Sequence, residues 1–230
     1  NSEWPDLLMN TSYPYIDIVG EFAHLVYDKS ALSSGSTFDA IALIGKYDTI
    51  VQHERMVMGL FKYDRSPKNH MLTYCEHGGG YYAGGLGVHL DLDWGVPDLT
   101  DPDQISIWGI AHEYGHINQI RPDLKWIGTT EVTTNIYSAW VDYHLDNGNN
   151  EYTRLEDESV TPAAGIPSIT GGRINGALYN TLISGLALQD ITNYDVFKVL
   201  VPFWQLEIYY SLAGASRNAP ILSFDYPTNY

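Results

Sequence analysis

The sequence predicts a mixed α/β (α+β) fold, with a β-containing N-terminal half over about residues 1–100 and a mostly helical C-terminal half over about 101–230. Three observations carry that expectation. Short β-prone runs open the chain, Tyr15-Ile16-Asp17-Ile18-Val19 and then Phe22 to Tyr27. Residues 71 to 93 combine alternating apolar positions with Gly78-Gly79-Gly80 and Gly84-Gly85, which read as turns between short strands. From residue 103 the texture changes to helix-length segments with their own start and stop signals. A chain of 230 residues suits one large domain or two small ones, and neither an internal repeat nor an obvious linker divides it.

Ser36-Thr37-Phe38-Asp39 resembles a capping box, with Asp in place of the usual Glu. It is expected to open an amphipathic helix with Ile41, Ile44, Val51 and Met58 on or near one face, stopped by Gly59. Asp103 is expected to cap a helix running to Ile120, ended by Arg121-Pro122 because the residue before proline resists helical geometry. Thr129 or Thr130 can cap the next helix, from Glu131 to about Leu145, closed by Asp146-Asn147-Gly148. After a Pro/Gly-rich loop (Thr161 to Gly172), further helices are expected at about 176–190 and 194–212. Pro202 predicts a kink or a late start in the second.

Composition excludes several function classes. Twelve basic against 28 acidic residues leave a net charge of −16, which disfavours nucleic acid and anionic membrane surfaces alike. No apolar run is long enough to insert in a bilayer. Cys75 is the sole cysteine, so neither an intrachain disulfide nor a thiolate metal cage is available. The 18 tyrosines and low charge content lean toward an extracellular or cell-surface protein that meets polymers or sugars. The first residues lack a basic start and an apolar signal core. Such an opening is expected of a mature fragment or of a domain excised from a larger protein.

The decisive segment is Ala111-His112-Glu113-Tyr114-Gly115-His116, a match to H-E-x-x-H. On a helix, His112 and His116 lie about 40° apart and one turn apart, so both imidazoles can grip one Zn²⁺. Glu113 sits on the flank of that face, where a carboxylate can take a proton from a zinc-activated water without ligating the metal. Chance produces such a match in a chain of this composition with odds on the order of one in a hundred. A catalytic zinc needs a third protein ligand and an open position. Pro122 stands where the metzincin spacing demands its third histidine, so Glu131, the first residue of the next helix, is the candidate. Asn135, one turn on, can hydrogen-bond to it or stand as an ordinary helix-surface Asn.

The string from His112 to Gln119, then Trp126, then Glu131-Val132-Thr133-Thr134-Asn135-Ile136, resembles the enhancin-like gluzincins, which include viral enhancins and bacterial mucinases acting on O-glycosylated proteins. Flanking likeness extends to Tyr47-Asp48 through Met58-Gly59-Leu60, to Tyr81-Tyr82-Ala83-Gly84-Gly85, and to Pro202-Phe203-Trp204-Gln205-Leu206. The resemblance implies a gluzincin-type zinc peptidase domain over 1–230, with His112, His116 and Glu131 binding one zinc ion and Glu113 as base and proton shuttle. The implied substrate is a glycoprotein or other polypeptide bearing mucin-type O-glycans. Unglycosylated protein is the alternative within that chemistry. A non-catalytic glycan- or protein-binding module on a degenerate peptidase fold is the rival outside it, and a closed structural zinc site is a further one.

Other residues admit simpler roles as well. The Gly-rich 78–90 region is either a substrate-pairing strand edge or an ordinary hairpin. His89, Asp91 and Asp93 alternate and could hold a second cation or form a solvated face. His24, His53, His70, His77 and His144 read as structural or exposed, and Asp142 and the run Glu151 to Glu158 as solvent-facing. Tyr137, Tyr179 or Tyr209 could donate to a developing oxyanion. Because the charge of −16 repels sialylated or sulfated glycans, either Arg121, Lys125 or Arg173 forms a basic patch, or the glycans are short and neutral.

Overall fold

The computed structural model describes residues 3–33, 38–119, 128–145, 155 and 196–217. Its contacts separate two compact units, Asn1–Met56 with Leu60–Asn118, and Val57–Gly59 with Gln119–Tyr230. The first holds α1 (Trp4–Asn10), β1 (Tyr15–Val19), β2 (Ala23–Asp28), α2 (Lys29–Ser33), α3 (Ala40–Val57), β3 (Met71–Glu76), β4 (Tyr82–Gly84), β5 (Gly87–Asp91), α4 (Pro97–Thr100) and α5 (Ile107–Asn118). The second holds α6 (Thr130–Leu145) and α7 (Val196–Arg217). Among the described residues, no helix is long and apolar enough to cross a membrane.

Among the described residues, five strands form one mixed sheet in the order β1-β2-β3-β5-β4. The β1–β2 hairpin is antiparallel, and β2–β3 and β3–β5 are parallel. The β2-to-β3 connection carries α3, since a parallel pair cannot be closed by a tight turn. From β3 the chain passes the place β5 will take, runs antiparallel at the edge as β4, and returns as β5. One face of the sheet is apolar and sealed: Ile16, Ile18, Ala23, Leu25, Tyr27, Cys75, Val88 and Leu90 are all buried. Burial pushes the Cys75 thiol up to about 12, so it is a core side chain rather than a nucleophile.

Helix α3 buries Leu43, Tyr47, Ile50 and Val51 and leaves Ile41 67% exposed, so its buried face shares Val51 with the expected one but is rotated away from Ile41. The helix begins at Ala40, and the Asp39 carboxylate caps it by accepting the amides of Ile41 and Ala42. Ser36 and Thr37 of the expected capping box lie outside the described residues. Just over two turns into α3, Asp48 accepts the amides of Glu21, Phe22 and Ala23 at 2.7–2.8 Å, tying the helix to the β1–β2 turn. Tyr27 and Tyr47 both donate to the carbonyl of Leu99, at 2.5 and 3.2 Å.

The helix expected from Asp103 starts later, at Ile107. The Asp101 carboxylate accepts the Asp103 amide and the Gln104 side chain, and the Ser106 amide turns back to the Asp98 carbonyl. Short acidic side chains compete with helical hydrogen bonds in this way, and here they hold a turn that delays the helix. In the second unit, the Thr129 carbonyl receives the amides of Val132 and Thr133 at the start of α6, as expected of a cap position. Helices α6 and α7 pack together, with Tyr143 edge-on to Trp204 at 5.9 Å, and Pro202 falls inside α7. The helix expected at 176–190 and the 146–148 stop lie outside the described residues.

Candidate metal centre

Helix α5 is amphipathic in the way that positions a site. Ile110, Ala111 and Tyr114 are fully buried, whereas His112 and His116 are half-buried on another face. The Tyr114 hydroxyl meets the Thr73 hydroxyl of β3 at 2.6 Å, fixing the helix on the sheet, and burial holds the phenol well above its ordinary range. At the C-terminal end, the Asn118 amide donates to the carboxylate of Glu54, which is wholly buried on α3. Burial raises the Glu54 pKa well above the ordinary carboxylate range, and the Asn118 bond opposes this only in part. Neither Glu54 nor Tyr114 carries a signal in the sequence that marks it as part of a site.

The imidazoles of His112 and His116 stand at right angles with their Nε2 atoms 3.2 Å apart. Two nitrogens on a tetrahedral zinc at ordinary bond lengths are separated by about 3.3 Å, so the pair fits as two vertices of one coordination shell. Glu113 is 6% exposed, which places its carboxylate in a low-dielectric setting on the same turn. Among the described residues, His112, His116 and Glu131 are the group of imidazole and carboxylate side chains that could hold a metal ion. Nitrogen and carboxylate donors of this kind suit zinc.

Glu131 is exposed in the first turn of α6. Its main-chain carbonyl accepts the Asn135 side-chain amide at 2.6 Å, and Asn135 is fully buried, so it is not the helix-surface Asn of the plainer expectation. The start of α6 is further held by Gln119, whose amide donates to the Thr130 carbonyl and the Thr133 hydroxyl. Gln119 carries no apolar periodicity and no ligand chemistry, so its anchoring role has no signature in the sequence.

The close approach of α5 to the β4 edge depends on Gly109. A Cβ there would stand 3.2 Å from the Tyr81 ring and 3.0 Å from the Ser106 hydroxyl. Tyr81 in turn stacks on Trp94, and its phenol is raised above its ordinary range by burial and then by nearby acids, Glu113 among them.

The second-cation alternative is not realised. Asp91 is 4% exposed and accepts the amides of Gly78, Gly80 and Asp93, bracing a turn whose three glycines all have positive φ. His89 pairs with Glu76, and Asp93 pairs with His77. Asp91 therefore serves the backbone rather than solvent or an ion. Of the remaining histidines, His24 pairs with Asp17, His70 is exposed and His144 bonds the Trp140 carbonyl. Tyr137 is buried and Tyr209 exposed, while Tyr179, Arg121, Lys125, Arg173 and most of Glu151 to Glu158 lie outside the described residues.

The family model described as peptidase M60, enhancin and enhancin-like matches residues 1–218. No curated protein matches the chain in sequence. A metallopeptidase solved in complex with Tn antigen superposes with a TM-score of 0.71 at 20% identity, covering 90% of this chain and 37% of its own. A metallopeptidase from Bacteroides thetaiotaomicron gives 0.72 at 19% identity, covering 98% and 35%. A conserved protein of unknown function from Bacillus anthracis str. Ames, solved as a mutant, gives 0.70 at 24% identity, covering 90% and 40%. The chain thus spans little more than a third of the length of these solved proteins. It belongs to the peptidase M60, enhancin and enhancin-like family, and its α+β fold is that of metallopeptidase domains.

Proposed function

We propose that the chain is a single catalytic domain of a zinc-dependent endopeptidase or glycopeptidase, acting outside the cell or at its surface on O-glycosylated, mucin-type proteins. His112, His116 and Glu131 hold the metal, and Glu113 is the general base. One observation carries the reading: two Nε2 atoms 3.2 Å apart, one helical turn from each other, with a buried glutamate on the same turn. Family membership supports it, and so does the Tn antigen bound to a structural relative, which favours glycan-bearing substrates.

Bound zinc supplies Lewis acidity, lowering the pKa of water and polarising a carbonyl. Glu113 takes a proton from the water that attacks the scissile carbonyl carbon, and returns it to the departing amine as the C–N bond breaks. An extended substrate pairs its backbone with β4, the edge strand of the sheet, which packs against α5.

Glu113→Gln tests the mechanism, because the amide keeps the shape and cannot accept the proton. Zinc content should match the wild type while cleavage of a mucin glycopeptide falls at least about 100-fold, the low end for loss of a general base. Full activity in that variant removes the base from Glu113. Matched peptides with and without GalNAc on Ser or Thr, digested and read by mass spectrometry, separate a glycopeptidase from a general peptidase. Glycan affinity that survives chelation, with no product from any peptide, would instead identify a binding module.

A further inference from the structure

Three rings stack in strand order on the face of the sheet opposite α5. Tyr74 of β3 lies on His89 of β5 at 4.9 Å between centroids, and His89 lies on Tyr82 of β4 at 4.4 Å with planes only 5° apart. The register sets this up, since Tyr74 pairs with His89 and His89 with Tyr82 across the ladder. Glu76 holds the imidazole from the side at 2.6 Å. Because β4 is the edge strand, the stack ends there, and Tyr82 turns its second ring face past the sheet edge with 44% of the residue exposed. Two glycines flank that ring. A Cβ on Gly79 or on Gly84 would stand 3.7 Å from opposite sides of it, and neither residue has one.

We infer that the outer face of Tyr82 is a subsite for a substrate side chain that points away from the zinc helix, and that it takes a flat, C–H-rich group. This rests on the reading that substrate pairs along β4. Side chains alternate across a strand, and directly paired residues share a face. Ala83 pairs with buried Val88 on the α5 side, so a substrate residue beside Ala83 turns toward the helix. Its neighbour, beside Tyr82, turns to the opposite face and meets the ring. Two substrate groups have the required shape: an aromatic side chain, and the C–H face of a pyranose on a glycosylated Ser or Thr.

The test uses the zinc-loaded full chain and a peptide series varied at each position around the cleaved bond, with Ala, Phe or GalNAc-Thr. The readout is the ratio of kcat/KM for ring-bearing over Ala-bearing peptide, in which a general folding defect cancels. Wild type should prefer a ring at one position by roughly 2- to 12-fold, through KM. Tyr82→Ala should bring that ratio to about 1, and Tyr82→Phe should retain it. The Phe and GalNAc-Thr arms decide which source the ring accepts. A ratio unchanged in Tyr82→Ala overturns the subsite. An N-methyl scan of the peptide backbone tests the strand pairing separately: if no single methylation impairs cleavage, the β4 reading fails and the subsite with it. If methylation impairs cleavage while Tyr82→Ala is silent, the subsite alone is wrong.

Discussion

Glu54→Gln is expected to change how stability depends on pH, in a direction that the burial of the carboxyl dictates. Glu54 is fully buried, one oxygen accepts from Asn118, and the other has no hydrogen-bond partner. Burial therefore holds its pKa well above the ordinary range in the folded protein, whereas the unfolded chain returns it to about 4.3. Between those two values the folded state keeps a proton that the unfolded state gives up. Stability from this group is then fully present below the unfolded value and falls as pH rises through the folded one, by up to about 1.4 kcal/mol per pH unit. Glutamine has nearly the same volume and cannot titrate, so the variant lacks this term. Urea unfolding of both proteins between pH 5 and 8, with zinc in constant excess and equal m-values, gives the difference directly. Near pH 5 the two should agree within about 1 kcal/mol. Toward pH 8 the wild type should lose ground to the variant. Parallel curves, or a wild type that gains on the variant as pH rises, would refute a neutral buried Glu54.

Three further outcomes are expected. Tyr114→Phe should cost about 1–2 kcal/mol, a melting shift of about 2–8 °C, because it strips the buried Thr73 hydroxyl of its 2.6 Å partner. Thr73→Val should cost a similar amount, and the double variant less than the sum; strict additivity in that cycle would show the bond contributes nothing. Gly87→Ala should destabilise by about 2–4 kcal/mol, since φ is +134° and a Cβ would lie 2.5 Å from the Leu72 carbonyl oxygen; an unchanged urea midpoint would contradict that close approach. His112→Ala, His116→Ala and Glu131→Ala should each weaken zinc binding at least about 100-fold in a competition titration, more than loss of an outer hydrogen-bond partner does, and wild-type affinity in any of them would remove that residue from the ligand set.

By itself, the sequence determined the features whose geometry is local. His112 and His116 face the same way because helical period alone sets a four-residue spacing, and Glu113 is placed by the same rule. The strands at Tyr15–Val19 and Ala23–Asp28 were legible for a like reason, as alternation spells out which side chains share a face. Family likeness extended this to Glu131, which no period connects to the histidines. Tertiary structure decided what depends on partners distant in the chain. Asn118 meets Glu54 across 64 residues, and Asp91 turns from a supposed surface ligand into the brace of a glycine turn 11–13 residues earlier. The Tyr74–His89–Tyr82 stack exists only because parallel and antiparallel pairings bring three separate strands into one register. A local window records which faces a segment offers, but the choice of what lies against each face belongs to the packed chain, where burial and unmet hydrogen bonds are settled together.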